Sequence, residues 1–168
     1  MEIRNQAISN LPSPISLMEI TRHFTATTFV VYKNKVLLHQ HKKFGTWLPA
    51  GGHIERDELP EIAAVREVKE ETGLDVTLYN PDTPLFLADD ESCQLHRPMH
   101  LLLENINPYH QHIDFIYYGT AVSNQLNPAR GETDRLRWFD EADLQNTQMP
   151  TNVLVCAQEA LALLGQKD

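Results

Sequence analysis

Gly51-Gly52-His53-Ile54-Glu55-Arg56-Asp57-Glu58-Leu59 followed by Pro60-Glu61-Ile62-Ala63-Ala64-Val65-Arg66-Glu67-Val68-Lys69-Glu70-Glu71-Thr72-Gly73 is the stretch on which the fold turns. Its first part has paired glycines that let a backbone approach a ligand closely. From Leu59 to Thr72 the pattern becomes helical, with Pro60 suited to the first turn and Gly73 placed as the C-terminal stop. Ile62, Val65 and Val68, spaced three apart, are expected to face the core together with Ala64. On that helix Glu67 lies three residues before Glu70 and four before Glu71, so the three carboxylates project from one side. Like charges at that spacing destabilise an isolated helix by about 0.2–0.5 kcal/mol per pair. A hard divalent cation with oxygen ligands supplies the compensation, while Arg66 and Lys69 offer a partial one and leave a merely solvated acidic face as the alternative. Loop and helix together make a site in which a metal-bridged diphosphate is open to attack by an activated water.

Outward from this segment, Phe24 to Tyr32 is β-branched and aromatic, Lys33-Asn34 is a turn, and Lys35 to His41 is the returning strand. Thr46-Trp47-Leu48 is a short strand that runs into Pro49-Ala50-Gly51-Gly52, where regular structure is expected to stop. Leu74 to Tyr79, Leu85 to Leu87, Met99 to Glu104 and His112 to Val122 are predicted strands, the last two joined around Asn107-Pro108. Arg137 to Phe139 is a further short strand and Asn152 to Leu164 a closing helix. Mixed strands with two main helices predict an α/β fold in which the sheet carries helices on its faces. Residues 1–20 are expected to form an arm or short helix, and 21–168 the domain.

A chain of 168 residues with 42% hydrophobic content can bury one core without covalent staples. The two cysteines, Cys93 and Cys156, are far apart and form no C-x-x-C pair, which suits a reducing cytoplasm. No apolar leader opens the sequence, and no run of about 18 uncharged apolar residues occurs, so neither secretion nor membrane association is expected. The formal net charge of −9 would repel a nucleic acid polymer, and no basic stripe offsets it. A small-molecule partner and a monomer or homodimer are therefore expected.

Between Gly52 and Leu74 the sequence resembles the Nudix box, G-x5-E-x7-R-E-U-x-E-E-x-G-U with U apolar. Gly52, Glu58, Arg66, Glu67, Val68, Glu70, Glu71, Gly73 and Leu74 fill every specified position. Trp47 to Gly52 and Arg137 to Phe139 also resemble Nudix strands, extending the likeness over roughly Thr21 to Leu164. The resemblance implies an α/β/α sandwich with a mixed β-sheet and a catalytic loop-helix. It implies Mg²⁺ or Mn²⁺ held by Glu70 and Glu71, with Glu67 as ligand or general base and Gly51 or Gly52 lending a carbonyl. Glu58 and Arg66 look like the supporting pair that fixes helix against loop. The implied reaction is attack of water on a nucleoside diphosphate linked to another group, or on a nucleoside triphosphate or modified nucleotide, giving a nucleoside monophosphate. In place of the Ser or Thr cap common in the family stands Leu59, a poor cap.

A distal carboxylate from outside the box is also implied, with Asp114, Glu104 and Glu132 as candidates and His110 or His112 as substitutes. For substrate contact the candidates are Gly52, His112, Asp114 and Asn152, the last able to hydrogen-bond a base edge. The markers of ADP-ribose and dinucleoside-polyphosphate members are missing, since Asp89-Asp90 and Ser92 stand where those have proline and tyrosine. Among eight histidines, His39 with His41 and His110 with His112 have the i, i+2 spacing of strand-borne zinc ligands. The plainer reading puts the first pair on a polar strand face and the second beside a turn. Trp47, Trp138, Tyr117 and Tyr118 are stacking candidates or, more ordinarily, core. Two rival functions share the fold: a nucleotide sensor that does not cleave, disfavoured because all box carboxylates are present, and a prenyl-diphosphate isomerase, for which Cys93 is the pointer.

Overall fold

The first strand extends back past Phe24 to Thr21, so β1 (Thr21–Tyr32) is longer than its most apolar part. The structure, a computed structural model, describes residues 19–42, 45–82, 92–132 and 135–166. Lys33 adopts φ 54° in the turn to β2 (Lys35–Gln40), and β3 (Trp47–Leu48) pairs back onto β2. β4 (Ala50–His53) then follows directly, where regular structure was expected to end. It continues because glycine permits a close strand approach: a Cβ on Gly51 would lie 2.7 Å from the Ala26 carbonyl oxygen.

α1 (Pro60–Thr72) begins with Pro60 in its first turn, gains no side-chain cap from Leu59, and ends at Gly73 in the left-handed conformation, φ 78°. Its buried residues are Ala63, Ala64, Val68 and Thr72. Ile62 and Val65, expected in the core, are 54% and 37% exposed. The spacing of three misplaced the stripe: Ala64, Val68 and Thr72 recur every fourth residue, and Val65 lies about 100° around the helix from Ala64.

β5 (Val76–Leu78), β6 (His100–Asn107), β7 (His110–Ala121) and β8 (Leu136–Phe139) complete the strands among the described residues. The strand expected at 85–87 falls outside them, as do 1–18 of the expected arm. α2 (Glu141–Asn146) was not anticipated; Asp140 and Asp143 cap it reciprocally, each side chain taking the other's backbone N–H. α3 (Thr151–Leu164) closes the chain.

The sheet is mixed, ordered β3-β2-β1-β7-β5, with β4 also on β1, β6 on β7 and β8 on β2. Among the described residues, only β1 and β7 run parallel, in a ladder that sets His23 opposite His112 and Thr25 opposite Asp114. Because side chains alternate along a strand, β1 sends Ala26 and Val30 to the clusters that contain Ala63, Ala64 and Val68 of α1. Phe29 and Val31 go instead to the cluster of Val153, Cys156, Ala157 and Ala160 of α3. Helices thus cover both faces, an α/β/α sandwich. Tyr117 and Tyr118, at 1% and 0% exposure, belong to these cores and not to a stacking surface. Among the described residues, no helix is long and apolar enough to cross a membrane.

Candidate active site

Where β1 exchanges its partner β2, at Val30 to Tyr32, for β4, at Thr25 to Thr28, the sheet forks. A cleft of about 620 Å³ opens there, lined by Thr25, Thr27, His39, Gly51, Gly52, His53, Glu71, Glu104, His112, Asp114, Asn152 and Cys156 among others. Gly51, Gly52, Glu71, His112, Asp114 and Asn152, separate in sequence, are thereby brought to one cavity. Among its described lining residues none is a lysine or arginine.

Arg66 organises the acidic side of α1. Its Nε and one terminal nitrogen donate to the two oxygens of Glu58 at 2.8 and 2.9 Å, and the other terminal nitrogen donates to Glu67 at 2.8 Å and Glu70 at 3.1 Å. A further bond, 3.0 Å, reaches the His53 carbonyl oxygen and ties the helix to β4. Bidentate, charge-assisted bonds of this kind hold orientation as well as charge. Hydrogen bonding from Arg66 leads the causes that hold the Glu58 carboxyl below its usual range, and Glu58 leads those that push the Arg66 guanidinium up.

Glu67 packs on Gly52, where an added Cβ would meet its carboxylate at 2.5–2.8 Å. Glu70 is half exposed, while Glu71 is 14% exposed and accepts the Gly51 N–H at 3.0 Å. Burial, opposed by that bond and reinforced by Glu67, Glu132 and Glu70, pushes the Glu71 carboxyl up to about 8. His39 lies 3.6 Å from it, yet burial and then His41 lower its imidazole to about 4. Desolvation outweighs their mutual attraction at both groups. His39 is buried, not on a polar strand face, and its Nδ1 has no hydrogen-bond partner. Glu67, Glu70 and Glu71, with only Glu67 and Glu70 bonded to Arg66, and a glycine backbone that a Cβ would fill form an oxygen donor set that fits a hard divalent cation.

All three candidates for a carboxylate outside the box lie near this region. Asp114 receives the hydroxyls of Thr25 and Thr27 on one oxygen, at 2.8 and 3.0 Å, and burial keeps its pKa raised. Glu104, raised by burial and then by Asp114, accepts a 3.2 Å bond from the Asn152 amide. Glu132 belongs to a segment fastened to the end of α1, through Asn127 N–H to Thr72 O at 2.9 Å and Ala129 N–H to Glu70 O at 2.8 Å. Of the three, only Glu132 is close enough to Glu71 to raise its pKa. The reading of the sequence missed Thr25 and Thr27, for which the polar alternation His23, Thr25, Thr27 along β1 was the available signal, and it paired His39 with His41 where the structure sets it beside Glu71. Cys93 is exposed and away from the cleft, whereas buried Cys156 lines it with its thiol pushed up by burial.

The NUDIX domain family matches residues 21–155. A NUDIX-family hydrolase of Clostridium perfringens superimposes with a TM-score of 0.77 at 46% identity, covering 86% of this chain and 99% of that one. An uncharacterised Nudix hydrolase of Bacillus subtilis, YvcI, is 29% identical over 119 residues, 69% of this chain and 65% of that protein. The m7GpppN-mRNA hydrolase of Saccharomyces cerevisiae is 28% identical over 120 residues, 71% of this chain, but the chain spans only 11% of that protein's length.

Proposed function

This chain belongs to the NUDIX domain family, and from that premise we propose that it is a divalent-cation-dependent hydrolase of a nucleoside diphosphate linked to a further group. Its products are a nucleoside monophosphate and the phosphorylated group, and a nucleoside triphosphate or modified nucleotide is the same chemistry with phosphate as the linked group. The observation that carries this reading is the packing of Glu67 and Glu71 against the Gly51-Gly52 strand beside a cleft of nucleotide size, with Glu70 joined to Glu67 through Arg66, which neutralises only part of their charge.

Glu67, Glu70, Glu71 and the Gly51 carbonyl would hold Mg²⁺ or Mn²⁺, and Glu132 supplies the carboxylate from outside the box. When bound there, the ion would supply neutralisation of phosphate charge and a lowered pKa for water. Arg66, fixed by Glu58, keeps Glu67 and Glu70 from separating and sets the helix against β4. Glu67, held by Arg66 and flanking Gly52, is placed to take a proton from the attacking water. Asp114, Glu104, His112 and Asn152 line the same cleft and would contact the substrate. An acidic wall without Lys or Arg among its described residues suits a small substrate whose diphosphate is masked by metal. It suits poorly a long phosphate backbone, so the capped RNA of the yeast relative is the alternative substrate, not the favoured one. The domain is taken to start at residue 21, after an arm of 1–20, and the free thiols Cys93 and Cys156 fit a cytoplasmic setting.

A panel of nucleoside triphosphates, oxidised nucleotides, nucleotide sugars, dinucleoside polyphosphates and a capped oligoribonucleotide, with Mg²⁺ or Mn²⁺, tests the proposal. Release of a nucleoside monophosphate from a small substrate is expected. Binding without turnover across the panel would favour a sensor, and turnover of capped RNA alone would overturn the substrate class.

A further inference from the structure

His23 of β1, His53 of β4 and His110 and His112 of β7 come together at the rim of the cleft, each offering one ring nitrogen within 4.8 Å of the others. We propose that these four histidines are a second metal site, selective for a borderline transition ion such as Zn²⁺ and distinct from the carboxylate site on α1.

Register produces the cluster. The parallel ladder sets His23 opposite His112 and Thr21 opposite His110, while the β1–β4 ladder puts His53 opposite Thr25. Positions two apart on a strand share a face, so His23, His53, His110 and His112 point to one side. The rings already pack closely: His23 and His110 centroids are 4.7 Å apart, His110 and His112 4.8 Å, and His53 and His112 5.0 Å. His23 Nδ1 and His53 Nε2 are 3.2 Å apart, near the roughly 3.3–3.4 Å that separates nitrogens on a tetrahedral ion with bonds of about 2.0–2.1 Å. His23 and His53 are exposed.

Two further observations point to a ligand. Nε2 of His110 and Nε2 of His112 are buried without a hydrogen-bond partner, a costly arrangement unless something occupies the lone pairs. Among the described residues, no carboxylate forms an ion pair with any of the four, and burial followed by its three histidine neighbours lowers the His112 pKa. Neutral imidazole is the metal-binding form. Four nitrogens suit Zn²⁺, Cu²⁺ or Ni²⁺ and not Mg²⁺, which demands oxygen. The two sites therefore sort ions by ligand chemistry. His53 directly follows Gly52 and gives its carbonyl to Arg66, so an ion here would brace the strand that carries the glycine cradle.

The test uses the untagged full chain, with zinc content and affinity measured by metal analysis and competition with a chromophoric chelator. One Zn²⁺ per chain is expected, retained when Glu67, Glu70 and Glu71 are all changed to Gln. His23→Gln with His110→Gln should raise the Kd for Zn²⁺ by about 100-fold or more. His23→Gln with His53→Gln, both at exposed positions, serves if the first pair fails to fold. X-ray absorption of the zinc-loaded wild type is expected to show a nitrogen shell at about 2.0–2.1 Å with imidazole scattering. Unchanged zinc affinity in the histidine variants, loss of zinc only in the glutamine variant, or an oxygen-only shell would each overturn the proposal.

Discussion

The glutamates of α1 and the histidines at the strand ends are two clusters of like residues, a short way apart on one fold, and they solve opposite electrostatic problems. Glu67, Glu70 and Glu71 are drawn together by helical geometry at the expense of mutual repulsion, and Arg66 with its five donors offsets part of it. The histidines come together through strand register and leave the Nε2 atoms of His110 and His112 buried and unpartnered. One cluster lacks positive charge; the other lacks an electron-pair acceptor. In the proposed assignment a hard dication would complete the first and a borderline transition ion the second, so crowding alone would not decide what a cluster binds.

The largest expected effect separates the clusters by activity. Glu70→Gln and Glu71→Gln should each lower kcat by at least about two orders of magnitude, measured as nucleoside monophosphate release, with circular dichroism unchanged. Equal activity in both variants would place the hydrolytic ion elsewhere. Next comes the offsetting cation: Arg66→Ala leaves Glu58 and Glu67 without their donor and should cost about 2–3 kcal/mol in urea unfolding without metal. Excess Mg²⁺ should recover part of that loss, and no recovery would mean that the cation and Arg66 do not share a charge problem.

A third test is the pH dependence of metal-free stability. Glu71, whose folded pKa of about 8 lies above its unfolded value, stabilises fully at low pH, and that contribution is lost as pH rises towards 8. His39, lowered to about 4, acts in the opposite sense, its contribution being complete above its unfolded value of about 6.5. Between about pH 6.5 and 8, stability should therefore fall by on the order of 2 kcal/mol, and the fall should vanish in Glu71→Gln. A flat profile in the wild type would contradict the buried state of Glu71. The smallest effect is steric. Gly52→Ala would press a methyl into the Glu67 carboxylate and should weaken Mg²⁺ binding about tenfold, read by calorimetric titration, while leaving Zn²⁺ stoichiometry at the histidines intact.

The difference between the clusters also explains what the sequence could disclose. Glu67, Glu70 and Glu71 share a side because helical periodicity acts over neighbouring residues, and Pro60 and Gly73 mark where that periodicity holds. Nearly every strand was legible from β-branched runs and turn residues. His110 and His112 were visible as a pair, but His23 and His53 join them only through the parallel β1–β7 register and the β1–β4 pairing, which no local pattern encodes. The same holds for Thr25 and Thr27 on Asp114, and for Glu132, which approaches Glu71 because a later loop hydrogen-bonds to the end of α1. Ile62 and Val65 failed as core residues because small side chains, Ala63 and Ala64, mark the close contact between helix and sheet, and hydrophobicity does not register that.

Crystals of the chain grown with Mn²⁺, Zn²⁺ and a non-hydrolysable nucleoside diphosphate analogue, with anomalous data at each metal's absorption edge, bear most directly on the role of α1. The manganese signal is expected among Glu67, Glu70, Glu71 and the Gly51 carbonyl, in contact with the diphosphate. Manganese found away from those carboxylates, with their side chains turned to solvent, would contradict it.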